Sequence, residues 1–112
     1  MARTKANGSV TRSSGNVFAD LGLPRADERQ TQVRLAVAIN QTIKDRRLSQ
    51  SRAAGLLKIN QPKISALANY QLEGFSVERL LRFLNALGRD VEIVVRQKSK
   101  SRKPGKILVT AA

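Results

Sequence analysis

Leu48-Ser49-Gln50-Ser51-Arg52-Ala53-Ala54-Gly55-Leu56-Leu57-Lys58-Ile59-Asn60-Gln61-Pro62-Lys63-Ile64-Ser65-Ala66-Leu67 is the stretch that decides the fold. Ser49 is a residue type whose side chain accepts from free N–H groups at a helix start, and Ala53, Ala54, Leu56 and Leu57 follow it over about two turns. Lys58-Ile59-Asn60 joins that helix to another, capped by Asn60 or Gln61, in which Pro62 is tolerated because first-turn N–H groups lack partners anyway. Small Ala54 suits a close helix crossing, and Ile59, Ile64 and Leu67 supply the apolar inner face.

The pattern continues upstream. Residues from about Arg25 to Arg47 include neither Gly nor Pro, with Asp27 and Glu28 at the start and Lys44, Arg46 and Arg47 at the end, the charge order that suits a helix dipole. Leu35, Ala36, Ile39 and Ile43 recur at helical spacing, so one long helix with a core face is expected. Before it, Val17, Phe18, Leu21 and Leu23 form a short apolar cluster stopped by Gly22 and Pro24. That segment docks either in a partner's groove or on the chain's own helices.

Downstream, Tyr70 to Phe75 reads as a loop through Glu73-Gly74, and Ser76 opens a helix. Its Val77, Leu80, Leu81, Leu84 and Leu87 make the clearest apolar stripe in the chain, and Gly88 stands where a left-handed residue ends a helix. Asp90 to Arg96 then switches to period two, with Val91, Ile93 and Val95 alternating against Asp90, Glu92 and Arg96, which predicts a strand. A lone strand leaves backbone groups unpaired, so it needs either Ile107-Leu108-Val109-Thr110 or another chain.

The 112 residues amount to one domain. Against 8 acids stand 21 Lys plus Arg and no His, a net charge of +13, and such a surface seeks polyanions. Residues 1–15 are small, polar and basic and read as a disordered arm, and residues 97–112 read as a polybasic tail. Residues 16–96, at +5, hold the folded domain.

The absence of Cys and His excludes disulfides, thiolate chemistry, Cys or His metal sites and any imidazole base. The acids are scattered without a paired-carboxylate or phosphate-loop pattern, so neither an enzyme nor a cofactor nor a metal is expected. No apolar run approaches the roughly 20 residues of a membrane span, and Met1-Ala2-Arg3-Thr4-Lys5 has no apolar export core. No membrane partner is expected, and the cytoplasm is the default compartment.

Two short helices joined by such a turn fit the helix-turn-helix geometry, in which the second helix enters a DNA major groove. Gln61, Lys63, Ser65 and Ala66 are the candidates for base contact: Gln pairs with adenine, Lys donates to guanine, and Ala meets a thymine methyl. The bland alternatives are a solvated face and, for Ser65, a bond to its own helix backbone. Gln50, Arg52, Asn60, Asn69, Arg46 and Arg47 are the candidates for the phosphate backbone. Tyr70 either reaches phosphate or packs on Leu72 or Phe75.

These residues resemble the lambda-repressor-like (Cro/Xre-type) helix-turn-helix family, through Leu48-Ser49-Gln50, Ala53-Ala54, Leu57 to Ser65, Phe75-Ser76-Val77 and Leu80 to Gly88. Gly15 to Pro24 and Phe83 to Ile93 further resemble a HigA-like antitoxin subgroup. One departure is Lys58, where many members place Gly.

The resemblance implies a mainly α bundle of four to five helices and a homodimer that represses its own operon at a palindromic double-stranded DNA operator. It also implies a partner toxin, a small RNase of the HigB/RelE type. With the period-two segment read as one C-terminal β-strand, Val91, Ile93 and Val95 are assigned to a strand paired across the dimer. The competing readings are a free-standing phage-like regulator without a toxin, and a toxin-inhibiting module that binds DNA only non-specifically.

Overall fold

The computed structural model describes residues 25–97 and 105–111. Among them the chain forms four helices: α1 (Arg25–Asp45), α2 (Gln50–Leu57), α3 (Gln61–Ala68) and α4 (Val77–Ala86). The 1–15 arm and the Val17, Phe18, Leu21 and Leu23 cluster lie outside the described residues.

Three of these helices start on a capping side chain. Ser49 Oγ accepts from the Arg52 N–H at 3.0 Å, Asn60 Oδ1 from the Lys63 N–H at 3.0 Å, and Ser76 Oγ from the Arg79 N–H at 3.1 Å. Each bond satisfies a first-turn donor that the helix itself leaves free.

All four helices end alike, with a left-handed residue followed by an N–H that reaches back five positions. The bonds are Leu48 to Ile43, Ile59 to Ala54, Gln71 to Ala66 and Arg89 to Leu84, at 2.9–3.0 Å. The left-handed residues are Arg47 (φ 55), Lys58 (φ 58), Tyr70 (φ 59) and Gly88 (φ 86). Only Gly88 is spared the Cβ crowding that costs an L-residue about 1 kcal/mol there. The α1 signal carried by Arg46 and Arg47 therefore overshoots: the helix stops at Asp45, and these two residues form the turn.

α1 packs along α4, and α2 packs on α3. Ile39, Ile64, Leu67, Leu80 and Leu87 fill the centre, and the rings of Phe75 and Phe83 meet edge to face at 6.0 Å. Phe83 is buried although it stands outside the expected α4 stripe, whereas Leu81 within that stripe is half-buried. Polar ties set the register. Gln32 Nε2 donates to the Phe75 carbonyl at 2.8 Å, and Asn40 Nδ2 to that of Leu67 at 3.2 Å.

The expected strand at Val91, Ile93 and Val95 is not formed: among the described residues no strand occurs and no backbone-to-backbone hydrogen bond reaches residues 90–97. Alternation selects two faces, but a strand exists only when a second backbone meets its edge. The in-chain candidate is engaged elsewhere, since Val109 packs against the helical core. In residues 105–109 half-buried Gly105, Ile107 and Val109 alternate with exposed Lys106 and Leu108, so this part of the 97–112 segment is seated rather than purely solvated.

Candidate nucleic-acid interface

α2, the turn at 58–60 and α3 form one locally determined unit. The left-handed Lys58 (φ 58, ψ 43) reverses the chain, Ile59 packs against the core, and Asn60 caps the next helix at once. Ile64 and Leu67 bury the inner side of α3. Gln61, Pro62 and Lys63 are consequently left exposed at its first turn.

The sequence candidates separate by their surroundings. Gln61 Nε2 approaches Gln50 Oε1 at 3.5 Å, so the amides at the starts of α2 and α3 stand side by side in solvent. Lys63 is exposed, with Nζ 5.6 Å from the centre of the Phe75 ring, a contact of about 0.5–1 kcal/mol that lets the ammonium swing away. Ser65 and Ala66 are half-buried, Ala66 against the core. Asn69 is exposed, but its Nδ2 donates to the Ser65 carbonyl at 2.9 Å. Asn60 spends its carbonyl oxygen on the cap.

Among the arginines, Arg52 is exposed on α2 and Arg47 on the turn after α1. Arg46 is exposed and also structural, its Nη1 donating to the Leu87 carbonyl at 2.9 Å. Beside it Arg89 bonds Thr42 Oγ1 through Nε at 3.1 Å and meets Asp45 at 3.6 Å. Together the two arginines fasten the end of α1 to the end of α4. Tyr70, left-handed at the end of α3 (φ 59), is 45% exposed rather than packed.

Arg79 lies on α4 outside its apolar stripe. Its guanidinium lies 5.4 Å from the Phe75 ring centre and 5.5 Å from that of Phe83, with Nη1 3.5 Å from the Gly74 carbonyl. It thus braces the loop that follows α3. Such a contact joins an aromatic in a loop to one on a helix and leaves no periodic trace in the sequence. Arg82, by contrast, pairs with Glu78 at 2.9 Å in solvent.

From Arg46 to Leu72 the chain carries Arg46, Arg47, Arg52, Lys58 and Lys63 and no acid. Both helix starts in this stretch are exposed and lack an acidic first-turn residue, so their positive dipole ends stay uncompensated. The unit is equipped to meet an anion along its backbone and hydrogen-bonding edges at α3.

A capped helix, a left-handed turn and a second helix with an exposed polar start define a helix-turn-helix. The family model of the helix-turn-helix domain matches residues 17–96. A solved structure provisionally described as an XRE family transcriptional regulator is 62% identical, with a TM-score of 0.75, the match covering 80% of this chain and 100% of that one. No curated protein matches the chain. The chain belongs to the XRE-type helix-turn-helix family of transcriptional regulators.

Proposed function

We propose that this protein is a sequence-specific repressor that binds a palindromic operator as a two-fold dimer in the cytoplasm, and that it is the antitoxin of a toxin–antitoxin pair. The observation that carries the repressor reading is the exposed first turn of α3, with Gln61 and Lys63 exposed at the edge of an acid-free unit.

In the proposed complex α3 enters the major groove. Gln61, oriented by Gln50, and Lys63 meet base edges, with Ser65 and Ala66 further along the same helix. Gln50, Arg52, Asn60, Asn69, Arg46 and Arg47 lie against phosphates, which position the protein without reading sequence. Two α3 helices about 34 Å apart would read successive major grooves on one side of the duplex. The antitoxin setting rests on the resemblance of residues 15–24 and 83–93 to HigA-like proteins, with a small HigB/RelE-like RNase as the expected partner.

The test compares the DNA upstream of this gene with a scrambled duplex at about 150 mM salt. A gap of roughly a thousandfold is expected for a specific repressor. Lys63→Ala should erase preference at one or two base positions, while Arg102→Ala should weaken all sequences alike and flatten the salt dependence. Equal binding of both duplexes would overturn the repressor reading and leave the partner-binding one.

A further inference from the structure

The geometry points to Arg79 as a further DNA-contacting residue, one that takes a backbone phosphate beside Gly74, at the edge of the surface α3 presents. The inference rests on the DNA binding proposed above and is independent of which base sequence is read.

The guanidinium is held but not neutralised. Arg79 is half-buried, and its guanidinium lies 5.4 Å and 5.5 Å from the ring centres of buried Phe75 and Phe83. Contact with two rings limits how the planar group can turn and leaves its N–H edge for an acceptor. Among the described residues that acceptor is the Gly74 carbonyl, 3.5 Å from Nη1, a long bond that engages one of the five donors. The ion pairs among the described residues join Arg82 to Glu78 and Arg89 to Asp45. No carboxylate there, that of neighbouring Glu73 included, pairs with Arg79.

A second cation stands at the same place. Lys63 Nζ is 5.6 Å from the Phe75 ring centre, and a Cβ on Gly74 would lie 3.9 Å from it. Two positive groups thus share one ring and flank one exposed glycine with no acid paired to either, an arrangement that repels itself and that an anion relieves. Lys63 belongs to the exposed first turn of α3, so the anion that arrives with the bases α3 meets is a DNA phosphate. Phosphate matches a planar guanidinium through two parallel N–H···O bonds, which a flexible ammonium does not offer. Lys63 then stays available for a base edge, while Arg79 sets how the loop after α3 sits on the backbone.

Arg82 supplies the control: it lies on the same helix, carries the same charge and spends its guanidinium on Glu78 at 2.9 Å. In the full chain Arg79→Met keeps an unbranched apolar side chain against the rings. On a scrambled duplex it should lower affinity about tenfold and reduce the slope of log affinity against log salt by about 0.9 per copy bound, the loss of one phosphate contact. Arg82→Met should change affinity by less than about twofold and leave the slope unaltered. Equal effects of the two variants would overturn the inference. So would weaker binding by Arg79→Met at the wild-type salt slope, the signature of a residue that only braces the loop.

A footprint on the unaltered chain covers the case in which Arg79→Met does not fold. Scrambled duplex should protect Arg79 from phenylglyoxal and leave Arg82 reactive, and equal modification of Arg79 with and without DNA would overturn the contact. Failure of the repressor reading is separate: operator and scrambled duplex binding alike would overturn that reading while the Arg79 effect stands. A chain that binds neither duplex overturns both.

Discussion

The helical body of residues 25–89 and the extended segment of residues 90–97 come from one chain and obey opposite accounting. In the body, three helix starts are capped by side chains, all four ends close with a reach-back bond, and the apolar stripes face inward. In the segment the apolar side chains are exposed, and no backbone-to-backbone hydrogen bond arrives from the described residues. A helix satisfies its backbone from within the same dozen residues, whereas a strand must borrow an edge from elsewhere. Among the described residues the body satisfies its own backbone, whereas the segment does not.

This contrast can be broken at graded cost. Leu80 is fully buried between α4 and the other helices, and Leu80→Ala should lower unfolding free energy by about 2–5 kcal/mol, read by chemical denaturation. Replacing the left-handed Lys58 should do the reverse. Lys58→Gly removes a Cβ from a φ of 58 and should stabilise by up to about 1 kcal/mol, less the extra freedom glycine gives the unfolded chain. Loss of stability there would mean that the lysine side chain supports the turn. At the small end, Val95→Thr alters a side chain with 91% exposure, so unfolding free energy should move by no more than about 0.5 kcal/mol. A large drop in stability would show that the segment already belongs to the body.

How much was legible in the sequence follows the same division. Ser49 and Ser76 announced α2 and α4 because a cap acts over three residues, and Gly88 announced a left-handed end because glycine alone adopts it freely. The ends at Arg47 and Tyr70 carried no such mark. There the reach-back bonds from Leu48 and Gln71 impose the left-handed backbone against residue preference, and so α1 closes two residues earlier than its charges suggest. At the candidate site, spacing alone picked out Gln61 and Lys63, since the first turn of a helix whose inner face is Ile64 and Leu67 must point outward. It could not separate Arg46, tied to the Leu87 carbonyl, from Arg52, which is exposed on α2.

By itself, then, the sequence determined the helices, their caps, the helix-turn-helix and the basic character of its surface, because these depend on neighbours a few positions away and on summed charge. Only the tertiary structure decided that Arg46 and Arg89 clamp α1 to α4, that Arg79 braces the loop after α3 between two phenylalanine rings, and that Val109 rather than the 90–97 segment settles on the core. These contacts join residues dozens of positions apart. Whether two such groups meet is set by packing in three dimensions, and local periodicity carries no record of it.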